Sequence, residues 1–229
     1  MSFGEFLTTG SNNTRFLLHL NGNSTDSSGN GLNGTDTSMS YSKLYGKFNE
    51  GAYFNGSGQI RLGNSTIMQP TELTISMWIK RTTTAGATPT LIMRDNGANS
   101  YVSAFSLYLT TTTGYIRYEQ QNGGTLVAVQ SSVGITDTTT WHHICAVRWT
   151  SLGLTRIYLD GKMVAEDLGN YTAIYYGTTK QGTNIGAYIY GNGSVLARYT
   201  GYMDEIILLG TPWSHDNVRK YYTNSRGWF

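Results

Sequence analysis

TRIYLDGKMVAE, residues 155–166, sets Asp160-Gly161 between two runs whose apolar and polar residues alternate. An Asp-Gly pair at that place is the preferred chemistry of a two-residue type I′ turn, because both turn positions need a positive φ. The segment therefore predicts an antiparallel hairpin, and the chain around it reads the same way. Upstream, Leu154–Leu159 and Trp141–Trp149 are strand-like. Leu73–Lys80 puts Leu73, Ile75, Met77 and Ile79 on one face and Thr74, Ser76, Trp78 and Lys80 on the other, the period of two that a strand requires. Further strands are predicted at Phe16–Leu20, Lys43–Phe48, Ala52–Asn55, Gln59–Leu62, Thr90–Arg94, Tyr101–Leu109, Tyr115–Gln121, Leu126–Gln130, Thr183–Tyr188 and Arg198–Leu209. Turn residues separate them. A polar loop spans Asn21–Asn33. Only Ser214–Tyr222 reads as helix: Ser214 is a candidate N-cap, Asp216 lies early, Arg219 and Lys220 lie late, and Val218, Tyr221 and Tyr222 form the apolar stripe. The fold class is all-β with one short C-terminal helix.

Composition agrees. Charged residues make up 13% of the 229, about half the usual share, while 28 glycines and 17 tyrosines are present. Threonine, tyrosine, valine and isoleucine suit a pleated, half-buried surface, and glycine, asparagine and serine suit the turns. A hydrophobic fraction of 39% with a net charge of only +2 is the opposite of the disordered pattern. Sixteen basic residues, never more than two in a row, give no electrostatic stripe for nucleic acid. No apolar run approaches the ~18 residues of a membrane span, so no membrane insertion is predicted. The start, MSFGEFLTTGSNNTRF, has no basic segment followed by an apolar core, and no secretion signal is expected. Residues 1–14 read as a flexible arm, residues 15–229 as one domain. The apolar end, Gly227-Trp228-Phe229, is expected to dock on the domain or a neighbour. Asn12, Asn23, Asn33, Asn55, Asn64, Asn170 and Asn192 begin N-x-S/T triplets, read as a by-product of composition.

Four landmarks occur in order: FLLHLNGNSTDSSGNGLNGT (16–35), GKFNEGAYFNGSGQIRL (46–62), the set ELTISMWIK, WHHICAVRW and TRIYLDGKMV, and finally IGAYIYGNGSVLARYTGYMDEIILLG (185–210) with Gly-x-x-Asp-Glu at Gly201–Glu205. This series resembles the laminin G-like branch of the concanavalin A-like lectin/glucanase domains. The resemblance implies a jelly-roll sandwich of two antiparallel sheets with a C-terminal helix. It also implies a structural calcium held by Asp204 and Asp26 with backbone oxygens near Asn21 and Gly51, oxygen-only ligands of the type calcium takes. The alternative is that Asp26 stabilises its own Asp-Ser-Ser-Gly turn and Asp204 bonds backbone amides.

Glycoside hydrolysis needs two carboxylates about 5–9.5 Å apart. The glucanase relatives carry them as E-x-D-x-x-E or E-x-D-x-E on one strand, and this sequence has no such spacing. Asp204-Glu205 and Glu166-Asp167 are adjacent, and adjacent strand residues face opposite ways. No catalytic residue is assigned and no enzymatic activity is expected. Cys145 reads as a small buried hydrophobe, and His142 and His143 as structural. Loop tyrosines are the candidate ligand-binding residues, because a phenol ring stacks on a sugar face and its hydroxyl hydrogen-bonds. These are Tyr171, Tyr175 and Tyr176 in one loop and Tyr188 and Tyr190 in another, the alternative being that they cover sheet ends or pack in a homo-oligomer. The leading expectation is a non-enzymatic virion surface protein, resembling tailed-phage capsid-decoration or tail-fibre-associated domains. Its expected partners are other virion proteins or copies of itself, with cell-surface glycans as ligands. A free-standing carbohydrate-binding lectin module comes second and a glycoside hydrolase third.

Overall fold

Alternation in the sequence becomes a set of antiparallel strands in the structure, a computed structural model that describes residues 13–84, 88–97, 103–122, 125–178 and 180–227. The strands are β1 (Thr14–Leu18), β2 (Thr35–Ser42), β3 (Gly51–Arg61), β4 (Leu73–Arg81), β5 (Thr90–Asp95), β6 (Ser103–Leu109), β7 (Tyr115–Asn122), β8 (Thr125–Gly134), β9 (His142–Trp149), β10 (Leu154–Leu159), β11 (Lys162–Asp167), β12 (Thr183–Ile185), β13 (Tyr188–Ile189), β14 (Val195–Leu196) and β15 (Thr200–Leu209). Helix α1 (His215–Arg226) follows. The residues expected in the N-terminal arm lie, up to residue 12, outside the described residues, as do Tyr101, Trp228 and Phe229.

One layer runs β11-β10-β9-β4-β15-β3, with β1 alongside β15 and β2 alongside β3; the other runs β5-β6-β7-β8. Short β12 joins them, pairing with β3 through Asn184↔Arg61 and Ile185↔Ile60 and with β5 through Thr183↔Arg94. Between the layers Leu73, Ile75, Met77 and Ile79 of β4 meet Phe105, Leu107 and Leu109 of β6 and Ile116 and Tyr118 of β7, all fully buried. At the far ends of the layers Ser132 Oγ on β8 donates to the Val164 carbonyl on β11 at 3.1 Å, so the sandwich approaches closure into a barrel. This is the all-β jelly roll that the landmarks imply.

A second apolar layer lies outside the first sheet. Leu17, Cys145, Val147, Tyr158, Ile207 and Leu209 pack under Trp213, Val218 and Tyr221. Trp78, 2% exposed, stacks on Tyr222 at 5.8 Å and meets Phe48 edge-on at 5.9 Å. The helix therefore covers the outward face of β4 and β9, which explains why these strands are buried on both sides. Ser214 caps it as expected, accepting from the Asn217 amide at 3.2 Å. It runs a turn beyond Tyr222, where buried Ser225 donates to the Tyr221 carbonyl.

The turn at Asp160-Gly161 has φ of +50° and +74°, the double positive value that type I′ demands. Other expectations need correction. Lys43–Phe48 is not a strand: Lys43–Tyr45 is a 3-10 turn whose first free amide, Leu44 N–H, bonds Ser42 Oγ at 3.2 Å. The strand lies earlier, at β2, an almost wholly exposed edge whose Ser/Thr content hides its period. Ala52–Asn55 and Gln59–Leu62 are one strand, β3, passing through Gly56-Ser57-Gly58 opposite a register shift in β2. Thr183–Tyr188 is not continuous. It breaks at Gly186, with φ +81° and the Phe54 ring standing where a Cβ would go.

Candidate functional site

On β6 and β7 the residues that turn away from the core are polar, whereas β8 turns Leu126 and Ala128 outward along with Gln130. Phe105, Leu107, Ile116, Tyr118, Val127 and Val129 face inward and are buried, so alternation directs Tyr108, Arg117, Glu119 and Gln130 outward. Strand register aligns them. Thr90 pairs with Tyr108, Tyr108 with Arg117, and Arg117 with Gln130, which makes one row across four strands. Glu119 stands in the next row opposite Ser106. Tyr108 Oη donates to Glu119 Oε1 at 2.7 Å, and Arg117 Nε donates to the same oxygen at 2.6 Å. Burial first, and then the carboxylate of Glu119, push the Tyr108 phenol well above its ordinary pKa, so it stays a donor at any working pH.

The hairpin β13–β14, paired through Tyr188↔Leu196 and Ile189↔Val195, closes one end of this face. Thr90 N–H donates to the Ala197 carbonyl at 2.9 Å and fixes the hairpin against β5. The result is a groove of about 380 Å³ lined by Thr88, Thr90, Tyr108, Thr110, Arg117, Glu119, Gln130, Tyr188 and Ala197. Its size lies within the ~300–1,000 Å³ of small-ligand sites. Tyr190 meets Tyr188 edge-on at 5.8 Å.

The structure divides the predicted tyrosines. Tyr188 walls the groove and Tyr190 backs it. Tyr171 and Tyr175 are 66% and 50% exposed on a loop anchored elsewhere, where Arg148 Nη2 donates to the Asn170 and Thr172 carbonyls. Tyr176 turns inward: its hydroxyl donates to the Pro70 carbonyl at 2.7 Å, and its ring lies 5.7 Å from the Arg94 guanidinium. None of these three lines the groove. Sequence reasoning missed Tyr108, Arg117, Glu119 and Gln130; for Arg117 and Glu119 the only signal was alternation in YIRYEQ (115–120), and an alternating polar face is also what ordinary solvated strands carry.

Both carboxylates nominated for calcium are engaged by donors of the chain itself. Asp26 Oδ1 accepts from the Leu17 and Ser28 amides, and Oδ2 from the Leu32 amide and the Ser28 hydroxyl. All four of its lone-pair directions are taken. Asp204 Oδ2 accepts from the Lys47 and Phe48 amides and Oδ1 from the Glu205 amide; burial raises its pKa to about 8. These donor sets fit turn and strand anchors rather than calcium ligands. Among the described residues no three His, Cys, Asp or Glu side chains gather to hold an ion. The expected opposition of Asp204 and Glu205 is corrected by a register shift between Asp204 and Ile207, with Glu205 at φ +50°. Alternation fails there, so the pleat no longer sets the two carboxyls on opposite faces. Glu205 also pairs with His19 Nδ1 at 2.7 Å.

His143 is fully buried, 2.8 Å from Ser76 Oγ, and burial lowers its pKa to about 3. It is a neutral core group. Cys145 is buried and its thiol is pushed up. His142 instead lies between Asp160 Oδ2 at 2.8 Å and Asp137 Oδ2 at 2.7 Å.

No curated protein matches the sequence. Solved structures share the fold at low identity. Domain 4 of AbnA, a GH43 extracellular arabinanase from Geobacillus stearothermophilus solved with arabinotriose, is 18% identical with a TM-score of 0.65, covering 91% of this chain and 98% of that one. The binding domain of Paraclostridial Mosquitocidal Protein 1 is 15% identical with a TM-score of 0.67, covering 93% of this chain and 52% of that one, so this chain spans about half of it. The CBM40 of a Ruminococcus gnavus IT-sialidase, bound to α2,6-sialyllactose, is 17% identical with a TM-score of 0.57, covering 69% and 86%. The family model Laminin_G_3, described as the concanavalin A-like lectin/glucanases superfamily, matches residues 54–219, well over half the sequence. On that match and on the jelly roll built above, the chain belongs to this laminin G-like family of the concanavalin A-like lectin/glucanases superfamily.

Proposed function

We propose that this chain is a glycan-binding domain whose ligand lies in the groove on the outer face of β5–β8. One observation carries the reading: a single cross-strand row presents a phenol, a guanidinium and a primary amide, with Glu119 beside it and the Tyr188 ring as end wall. Sugars need that combination, since their hydroxyls call for fixed donors and acceptors and their C–H faces for an aromatic surface. Solved structures of the same fold, one in complex with arabinotriose and one bound to α2,6-sialyllactose, support the class of ligand.

Binding without turnover is part of the proposal. Glu119 is the one carboxylate among the residues lining the groove, whereas a glycosidase places two across the scissile bond. Calorimetric titration of the full chain with an oligosaccharide panel that includes arabinotriose tests the reading. Binding should be lost in Arg117→Ala and weakened in Tyr188→Ala, with melting temperatures near the parent value. Glycan binding that survives both substitutions would remove the groove from consideration.

A further inference from the structure

The charge state of the groove goes beyond this reading while resting on it. Arg117 is the one cation among the lining residues, and it is already engaged: Nε lies 2.6 Å from Glu119 Oε1, with both side chains less than one-third exposed. The Tyr108 hydroxyl donates to that same oxygen. Glu119 thus has Oε1 saturated and Oε2 available, and Arg117 keeps its outer Nη donors. The negative end of the pair also reaches Tyr188. Burial raises the pKa of that phenol, and the carboxylates of Glu119 and Asp95 raise it further. A carboxylate or sulfate entering the groove would meet a neutralised guanidinium and an adjacent anion with no second cation, an unfavourable juxtaposition.

A neutral sugar meets the reverse situation. Two adjacent hydroxyls can each accept from one group and donate to another, and the side-by-side donors of Arg117 and acceptor of Glu119 match such a vicinal pair. We infer that the Arg117–Glu119–Tyr108 cluster selects neutral glycans through a vicinal diol and excludes sialylated, uronic and sulfated ones. In this role Glu119 determines specificity and Tyr108 positions it.

An array of neutral, sialylated and sulfated glycans, probed with the full chain and with Glu119→Gln and Tyr108→Phe, tests the inference. Neutral glycans should bind the parent protein. Glu119→Gln should weaken them at least about tenfold, the size of one lost hydrogen bond to a charged group. Tyr108→Phe, which leaves the ring and the fold in place, should weaken the same glycans less. It should also raise the signal of anionic glycans no more than Glu119→Gln does, because the latter frees the guanidinium. Anionic glycans bound by the parent protein and lost in Arg117→Ala would overturn the charge class while leaving glycan binding in the groove intact. Neutral binding indifferent to Glu119→Gln would overturn the diol role. Failure of every glycan to bind would remove the groove's assignment and the charge class with it.

Discussion

Three fully or almost fully buried arginines show how individual residues hold the loops of this sandwich. Arg81 Nη1 donates to the Ile135 carbonyl at 2.6 Å, Arg94 Nη2 to the Asn64 and Ser65 carbonyls, and Arg148 Nη2 to the Asn170 and Thr172 carbonyls. Each spends its guanidinium on the backbone of a connecting segment, not on a carboxylate. Burial lowers all three pKa values, yet so basic a group stays charged and its bonds are charge-assisted. His142 is the counterpart that titrates. Burial lowers its pKa, but the hydrogen bonds to Asp160 and Asp137 outweigh this and the net shift is upward. A histidine raised in the folded state stabilises fully below its unfolded value near 6.5, and the contribution fades as pH rises through the folded value. Asp137, held down to about 2 by His142 and by the Thr139 and Thr140 amides against a burial effect in the other direction, adds stability that is lost only as pH falls from near 4 toward 2. His142→Gln should therefore lower the melting temperature most near pH 5–6, with the gap from the parent narrowing above the raised histidine pKa. Because Asp137 is 41% exposed, screening limits the maximum difference to about 1 kcal/mol. Parallel melting curves for the two proteins from pH 5 to 9 would refute the pairing.

Elements were legible where burial is one-sided or complete. Leu154–Leu159 and Leu73–Lys80 stand within one residue of β10 and β4 because their side chains alternate against a dry core. β2 escaped because most of it is exposed and only Met39 and Tyr41 pack against the core, too few apolar residues to show a period. The groove escaped for a different reason. Arg117 and Glu119 look like a solvated face on β7, and become a site only when register sets Tyr108 and Gln130 beside them and a separate hairpin folds Tyr188 over the end. That depends on pairings between segments, which composition and spacing along one segment do not encode. The helix was readable from its cap, but its role was not: it covers Trp78, His143 and Tyr158, turning the outer face of the first sheet into a second core. Trp78→Ala should cost about 3–5 kcal/mol, as expected for a large buried aromatic. Chemical denaturation would show this as a lower midpoint with the groove, and the ligand binding proposed for it, retained at low denaturant, since the groove lies on the other layer. A loss below about 1 kcal/mol would mean that the helix does not rely on this ring.

Across the whole molecule, the jelly roll gives the groove its rigidity. Its floor is made of strands, whose side-chain positions are set by backbone register, and its end wall is tied to β5 by the Thr90–Ala197 bond. A preorganised polar row loses little entropy when it meets a ligand, which suits the carbohydrate ligand proposed for it.

The order of the strands carries one more consequence, for how the protein comes off the ribosome. β15 sits inside the first layer, between β4 on one side and β3 and β1 on the other, yet the fourteen strands before it must be made first. Until then the nascent chain holds two halves of a sheet with open edges, which invites mispairing with other chains, and closing so long a loop slows folding. A chain ending at residue 199 should be degraded by trace protease and unfold without a cooperative transition, whereas one ending after Arg226 should resist. A protease-resistant, cooperatively melting product from the shorter chain would show that the sandwich can assemble before its central strand arrives. Assembly of this domain is in that sense held open until its fifteenth strand is made, and slow translation or chaperone cover while β15 emerges would improve the yield more than any strengthening of the early strands.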